Sequence, residues 1–248
     1  MAAAMRDLAR RLESVDVVVE IRDARLPLTS ANPALAQLVG RRAHLLVLAK
    51  EDLADSGQTA RWVAYFERAG LRALAVRGKE QRSVQRLLRL VVAAAAGRPS
   101  ARAMVVGIPN VGKSSVINGL LRRAAAKTES RPGVTRDLRW FRLSPGLELM
   151  DTPGVLLPKI ETAEAQWRLA LCGAVPADRF DPEPVIAAFG AWLAGRGAAD
   201  VPADLAGFAI ARGCVGRGGE PDLQRAAQMY LRDFNHGKLG RFTLDEAS

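Results

Sequence analysis

Short apolar runs alternate with amphipathic segments along the first half of the chain. The runs 17–21, 44–48, 71–76 and 103–106 are rich in Val, Leu and Ala and predict strands buried on both faces of a sheet. Segments with a helical period separate them, at 1–12, 32–38, 58–69 and 83–96. This βαβ alternation favours an α/β fold with a mostly parallel sheet and helices on both faces.

The pattern changes after Asp151. An apolar strand is predicted to end at this residue, and from about residue 161 the periods are helical only, at 161–171, 182–194 and 223–235. Turns rich in Gly, Pro and Asp separate these helices. We therefore predict two domains, an α/β domain over 1–158 and a small all-α domain over 159–248.

Composition narrows the class of protein further. With 248 residues, of which 49% are hydrophobic, the chain can bury a core, and two cysteines do not make a disulfide scaffold. The apolar runs are far shorter than the ~20 residues of a membrane span. The net charge of +10 comes from 30 arginines and 6 lysines, which favours a nucleic-acid partner. A GC-rich genome that encodes Arg in place of Lys explains the same numbers, so charge alone does not decide.

A phosphate-binding motif follows the fourth predicted strand. Residues 107–114, with the sequence GIPNVGKS, fit the pattern G-x-x-x-x-G-K-[ST] between a strand and a helix. Lys113 would neutralise the β- and γ-phosphates, and the Ser114 hydroxyl would ligate Mg²⁺. Because helix N-termini attract anions, we expect phosphate contacts from Asn110, Val111, Gly112, Lys113, Ser114 and Ser115.

Two downstream segments complete the expected phosphate site. In the sequence DTPG at 151–154, Asp151 would hold Mg²⁺ through water and the Gly154 N–H would meet the γ-phosphate. Thr135, in the segment RPGVT at 131–135, would reach Mg²⁺ only while a γ-phosphate is present. The sequence thus predicts a nucleoside triphosphate site that senses the γ-phosphate.

Base recognition is expected upstream of the phosphate loop. In the sequence AKED at 49–52, which ends a strand, Asp52 can accept from guanine N1–H and N2–H₂, and the Lys50 stem can lie along the ring. Arg77 and Gly78 follow the next strand, where a backbone N–H meets guanine O6. The base-reading elements precede the phosphate loop, so the predicted domain is a circularly permuted P-loop GTPase. An ATPase is disfavoured, because Asp52 would present an acceptor to the wrong edge of adenine.

The order of these motifs resembles the circularly permuted ribosome-assembly GTPases of the YlqF/RbgA type, mitochondrial-type members included. The resemblance covers essentially the whole chain and includes DAR at 23–25, SANP at 30–33 and the tail segments DF at 233–234 and GKLG at 237–240. It implies GTP hydrolysis, weak alone and stimulated by the ribosome, in late assembly of the large ribosomal subunit. The implied partners of this monomer are the large-subunit precursor and its ribosomal RNA, in the mitochondrial matrix or the bacterial cytoplasm.

Three departures from the family pattern put parts of this function in doubt. Ala49 replaces the Asn that would bond guanine N7 and brace the phosphate loop, and Arg77-Gly78 replaces a Ser/Asn-Ala-like pair. The family's catalytic His would lie before Met1, together with any targeting segment, and Val155 stands where Ras has its Gln. No catalytic side chain is therefore evident, which motivates an alternative: a nucleotide-gated or nucleotide-blind RNA-binding protein that has lost hydrolysis.

The resemblance also suggests a potassium site and two RNA-binding surfaces. Asn110 occupies the position that helps to bind an activating K⁺ in related GTPases, while a purely loop-shaping Asn is the alternative. The first RNA surface would include seven basic residues in and around the segment that senses the γ-phosphate, namely Arg122, Arg123, Lys127, Arg131, Arg136, Arg139 and Arg142. The second would include Arg225, Arg232 and Lys238 in the helical domain, which the family places on ribosomal RNA.

Overall fold

The computed structural model describes residues 2–124, 139–151, 160–197, 201, 204–216 and 218–246. They form two compact units, Met1–Pro158 with Asp245–Ser248, and Lys159–Leu244. Residues from Asp245 onward group with the first unit, whereas the sequence predicts that the helical domain continues to residue 248. The Asp245 carboxylate accepts from the backbone N–H groups of Leu28 and Thr29 at 2.7 and 2.8 Å.

A six-stranded sheet of order β3-β2-β1-β4-β6-β5 forms the first unit. The strands are β1 (Val17–Asp23), β2 (Ala43–Ala49), β3 (Arg72–Val76), β4 (Ala101–Val106), β5 (Arg139–Ser144) and β6 (Leu147–Asp151). Every neighbouring pair is parallel except β5 with β6. The predicted mostly parallel sheet is confirmed, and the sequence analysis missed only β5 among the described strands.

Among the described residues of the first unit, five α-helices cover the sheet: α1 (Ala2–Leu12), α2 (Pro33–Val39), α3 (Ser56–Arg68), α4 (Gln81–Ala94) and α5 (Lys113–Ala124). Leu8 and Leu12 of α1 pack in one core cluster with Met104 of β4. Trp62 and Phe66 of α3 pack in a second cluster with strand residues of β2. The buried strands and these helix faces hold the loops at the carboxyl edge of the sheet in place.

The second unit contains α6 (Ala163–Leu171), α7 (Pro182–Ala194), α8 (Leu205–Ala211) and α9 (Leu223–Asn235). Its core is aromatic: the Phe189 and Phe234 rings lie 5.2 Å apart, and the Phe208 and Tyr230 rings 5.0 Å apart. Within its described residues the β-structure is limited to an isolated bridge between Val215 and Pro221. In the described ranges of both units, every helix is too short or too polar to cross a bilayer.

Candidate functional site

The candidate site lies at the carboxyl edge of the sheet, where loops follow the parallel strands. Asp23 pairs with Ala49, and Ala49 pairs with Val76, so β1, β2 and β3 end in register. β4, on the other side of β1, runs directly into the phosphate loop. The topology therefore brings the predicted base-reading loops and the phosphate loop to one edge.

Two glycines let the phosphate loop pass close to the neighbouring strands. A Cβ on Gly107 would lie 2.4 Å from the Ile21 carbonyl oxygen of β1, a distance that no side chain tolerates. Gly112 has a φ of 106°, and a Cβ there would lie 3.2 Å from the Ala49 Cβ. The loop can thus be this tight only with glycine at both positions.

Lys113 spans the phosphate loop from the first turn of α5. Its side chain is buried, and its Nζ donates to the Ile108 carbonyl oxygen at 2.6 Å. A cation inside the loop favours an anion there, as predicted for the phosphates of a nucleotide. Ser114 and Ser115 are exposed at the N-terminus of α5, where hydroxyl and N–H groups are available to a ligand.

Asn110 has a left-handed backbone, with a φ of 60°. Asn adopts this conformation more readily than most residues, so the loop-shaping role has direct structural support. Val111, the next residue, is buried and anchors the loop. The structure leaves the K⁺ prediction for Asn110 untested.

The predicted guanine-reading loop lies against the phosphate loop. Ala49 is 1% exposed, and its methyl group faces Gly112, so its side chain provides packing but no hydrogen bond. Lys50 has a left-handed backbone with a φ of 59°, and Asp52 is exposed in the short 3-10 helix Glu51–Leu53. This arrangement fits a base held between the Lys50 stem and the Asp52 carboxylate.

Asp23 has a role that its motif at 23–25 did not predict. Asp23 is buried, and its carboxylate binds the Arg25 guanidinium through two contacts of 2.9 and 2.8 Å and the Lys50 ammonium at 2.9 Å. Burial raises the pKa of Asp23, but the charges of Arg25 and Lys50 outweigh burial and lower the pKa to about 2. An ionised Asp23 therefore restrains Lys50 from β1, a role that only the three-dimensional pairing reveals.

Gly78 belongs to the pair Arg77-Gly78 that departs from the family pattern, and it lies in close contact with α5. A Cβ on Gly78 would lie 3.0 Å from the Ser115 carbonyl carbon and Cβ, so the loop after β3 touches the first turn of α5. The preceding residue, Arg77, keeps its side chain partly exposed, and its backbone N–H donates to the Ser83 hydroxyl at 3.0 Å. The loop after β3 is thus held directly beside the phosphate loop.

Several predicted site residues lie outside the described residues, namely Arg131, Thr135, Arg136 and Gly154. For Arg139 and Asp151 the structure describes the backbone alone. Asp151 pairs with Val105 at the carboxyl end of β6, on the strand next to the phosphate-loop strand β4. This backbone position fits the predicted Mg²⁺ role of Asp151, while the side-chain geometry stays a prediction.

The candidate RNA residues of the second unit differ in their surroundings. Arg225 and Arg232 are exposed and lie seven residues apart, on one face of α9. Lys238 instead binds the buried carboxylate of Asp233 at 3.1 Å, while its side chain is 58% exposed. Lys238 is therefore partly committed to an ion pair, and Arg225 and Arg232 are the better RNA candidates.

His44 offers no substitute for the missing catalytic group. It lies at the amino-terminal part of β2, away from the carboxyl edge, and its Nε2 is 2.9 Å from the Glu20 Oε2. This contact with the buried Glu20 indicates a structural role for His44.

Comparison with known proteins identifies the family. A family model described as "50S ribosome-binding GTPase" matches residues 102–174. Ribosome biogenesis GTPase A of Bacillus cereus is 35% identical over 99% of this chain and 91% of that protein. This chain belongs to the ribosome biogenesis GTPase A family. Mitochondrial ribosome-associated GTPase 1 of Mus musculus is 33% identical over 99% of the chain and 88% of its own length.

A solved structure shares the fold of this family member along its whole length. GNP-bound YlqF from T. maritima matches with a TM-score of 0.76 and 28% identity, over 98% of each chain. The predicted fold, a circularly permuted P-loop GTPase, and the predicted enzyme class, a GTPase of ribosome biogenesis, are confirmed by family membership.

Proposed function

We propose that this chain binds GTP with Mg²⁺ at the carboxyl edge of its sheet and hydrolyses it during late assembly of the large ribosomal subunit. One juxtaposition carries the proposal: the phosphate loop, with Lys113 inside it, touches Ala49 of the base-reading loop at Gly112. The names of the relatives, bacterial and mitochondrial, support the ribosomal part of the proposal.

The residues of the first unit have separate roles in this proposal. Lys113 exchanges its contact with the Ile108 carbonyl for the β- and γ-phosphates, and Asp52 reads the guanine edge. Mg²⁺, when bound, supplies charge neutralisation at the phosphate oxygens, and Ser114, Asp151 and Thr135 would hold it. The exposed Ser114 at the start of α5 and the position of Asp151 beside β4 fit such a site.

We also propose that K⁺ binds at Asn110 and that the second unit binds ribosomal RNA. The exposed Arg225 and Arg232 on α9 support the RNA contact, because guanidinium groups match phosphate oxygens. We propose further that the chain acts as a monomer on the large-subunit precursor, in the bacterial cytoplasm or the mitochondrial matrix.

A second candidate function is a ribosomal-RNA-binding protein that has lost GTP hydrolysis. Ala49 favours it, because its buried methyl group gives the guanine and the phosphate loop no hydrogen bond. The two candidates predict different chemistry with the same nucleotide.

The test is GTP turnover by the purified chain, with and without large ribosomal subunits. Multiple turnovers that the subunits stimulate support the first function, and nucleotide binding without turnover supports the second. Lys113→Ala should abolish tight GTP binding, with a loss of at least ~2 kcal/mol or more than tenfold in affinity. Arg68→Ala, which removes an exposed positive charge at the end of α3, is the matched control and should leave GTP affinity unchanged.

Thr135 tests the nucleotide dependence of subunit binding. We expect the wild type to bind large-subunit precursors at least several-fold more tightly with a non-hydrolysable GTP analogue than with GDP. Thr135→Ala should bring the two affinities together without weakening GDP binding. Equal affinities in the wild type would contradict a nucleotide-gated role.

A further inference from the structure

An arginine-rich face on α4 and α5 joins three arginines that have no role in the function described above to Arg122 and Arg123 of the first predicted RNA surface. The chain contains no acidic residue from position 81 to position 128, and five exposed arginines occur in the two helices of this stretch. They are Arg82, Arg86 and Arg89 on α4, and Arg122 and Arg123 at the end of α5. We define these five residues as the α4–α5 arginine face.

The α4 arginines form one stripe on the solvent side of the helix. Arg82, Arg86 and Arg89 follow an i, i+4, i+7 spacing, opposite the buried side chains Val84 and Leu87. The three arginines therefore form a single surface. The apolar face of α4 is buried in the core of the first unit.

The two helices are close enough to make one surface. A Cβ on Gly119 of α5 would lie 2.8 Å from the Val84 Cγ2 of α4, so the helices touch at this glycine. At the end of α5, the Arg123 guanidinium donates to the Gln85 Oε1 at 2.8 Å. Because Gln85 neighbours Arg82 and Arg86 on α4, the arginines of both helices lie side by side.

The charge arrangement of α4 disfavours the helix itself. Arg82 and Arg86 are like charges at i, i+4, and Arg82 lies in the first turn, where the helix dipole repels a cation. Two arginines on other helices have carboxylate partners at this spacing, Arg11 with Asp7 and Arg168 with Glu164. Among the described residues, no carboxylate forms an ion pair with the arginine face. A local arrangement that costs stability points to a ligand that compensates for it.

The chemistry of the face selects the ligand. Guanidinium forks match phosphate oxygens, and a row of them matches a polyanion. Neither α4 nor α5 contains an aromatic residue, so the face offers no platform for stacked single-stranded bases. With its apolar side buried, α4 cannot lie in a membrane interface as an amphipathic helix does. These properties fit the backbone of a nucleic-acid duplex.

We propose that the α4–α5 arginine face binds the phosphate backbone of double-stranded RNA, without sequence selection. The contact is limited to α4 and α5. Arg86 and Arg89 border a groove of about 750 Å³ that Glu51 and Glu67 also line, and these two carboxylates would repel phosphate groups. This proposal deepens the proposed function and rests on its ribosomal part for the source of the RNA. The face belongs to the first unit alone and is separate from the residues proposed on α9.

The test measures the affinity of the full chain for a short RNA duplex of unrelated sequence over a series of salt concentrations. Arg82→Gln, Arg86→Gln and Arg89→Gln are combined in one variant. The matched control combines Arg61→Gln, Arg68→Gln and Arg72→Gln, which removes the same charge from exposed positions on α3 and β3. We expect the α4 variant to lose about tenfold or more in affinity, and its log–log salt slope to fall by about 2 to 3. The control should lose less than about threefold.

Three results would overturn the proposal. Equal losses in the two variants would mean that net charge alone attracts RNA, as a composition effect predicts. If the α4 variant binds the RNA duplex as tightly as the wild type does, the face is not an RNA-binding site. If the α4 variant loses as much affinity for polyglutamate as for RNA, the face is a docking site for an acidic protein. Arg→Lys at the same three positions, which keeps the charge, should retain most of the salt slope and controls for folding. GTP affinity, measured in parallel, should be unchanged, so a failure of the nucleotide site is recognised separately.

Discussion

The ammonium nitrogen of Lys50 lies 2.9 Å from the Oδ2 of Asp23, across two neighbouring strands. The same carboxylate binds Arg25, which is 1% exposed. One buried anion therefore neutralises a buried cation and also fixes a lysine of the base-reading loop. The left-handed backbone of Lys50 directs its stem toward Gly112, where a Cβ would lie 3.7 Å from the Lys50 Cγ.

Asp23→Asn is expected to lower the free energy of unfolding by about 3 kcal/mol at pH 7, because the buried Arg25 guanidinium then loses its contact with the Asp23 carboxylate. The pKa of Asp23 is lowered from 3.8 to about 2, so its ionised form stabilises the fold above pH 3.8. This stabilisation decreases as the pH falls through 3.8 toward 2, so the variant's deficit should shrink by about 1 kcal/mol near pH 3.

Urea unfolding at the two pH values measures this difference. Asp7→Asn is the control, because its ion pair with Arg11 joins partly exposed side chains and should contribute less than ~1 kcal/mol. A deficit for Asp23→Asn that is the same at both pH values would mean that folding does not lower the pKa of Asp23.

Gly78→Ala should weaken nucleotide binding and lower the free energy of unfolding by about 1 to 3 kcal/mol. The new methyl group would meet the backbone of Ser115 at 3.0 Å and of Val116 at 3.1 Å, so the loop after β3 or the start of α5 must shift. Thermal unfolding and GDP calorimetry measure the two effects. Gly57→Ala, near the start of α3, has its nearest contact at 3.4 Å and should be neutral or stabilising. Equal behaviour of the two variants would rule out the close packing at Gly78.

The sheet could be predicted because each of its parallel strands is marked by a pattern of neighbouring residues in the sequence. Buried parallel strands are continuous apolar runs, and four predicted runs agree with β1 to β4 within two residues at each end. The antiparallel edge strand β5 was missed, because its sequence RWFRLS shows neither a continuous apolar run nor a regular alternation of polar and apolar side chains. The short helix α8, Leu205–Ala211, was missed because its sequence LAGFAIA contains no polar side chain and therefore shows no helical period.

The candidate site also has one part that could be predicted from the sequence and one part that could not. The phosphate loop is contiguous, so its glycines and Lys113 could be assigned from spacing alone. The contacts of Asp23 with Lys50, and of Asp245 with Thr29, join residues that are far apart in the chain. Only strand register and the return of the chain bring these residues together, and a single sequence contains no local signal for either.

Asp245→Ala should destabilise the first unit by about 2 to 3 kcal/mol, because three donors lose their acceptor. The buried carboxylate accepts from the Leu28 and Thr29 backbone N–H groups and from the Thr29 hydroxyl at 2.6 Å. A double-mutant cycle with Thr29→Val isolates the hydroxyl contact, for which we expect a coupling of about 1 kcal/mol. Zero coupling would mean that the Thr29 hydroxyl does not donate to Asp245 in solution.

Ala49→Asn should tighten the binding of GDP and GTP alike, by about 1 to 2 kcal/mol. Ala49 is 1% exposed and faces Gly112, so an amide at this position reaches both the phosphate loop and the proposed position of guanine N7. The effect must be equal for the two nucleotides, because the change lies at the base and not at the γ-phosphate. Calorimetric titration with each nucleotide measures it.

Two companion variants separate the amide from its bulk and from base selection. Ala49→Leu adds a similar volume without an amide and should weaken both nucleotides, because it crowds Gly112. Adenine also carries N7, so Ala49→Asn should leave the preference for guanine over adenine unchanged. Asp52→Asn should reduce this preference, because it replaces the acceptor for guanine N1–H and N2–H₂. If Ala49→Asn weakens binding as Ala49→Leu does, the space beside Gly112 is too small for the amide, and Asp52 alone fixes the base.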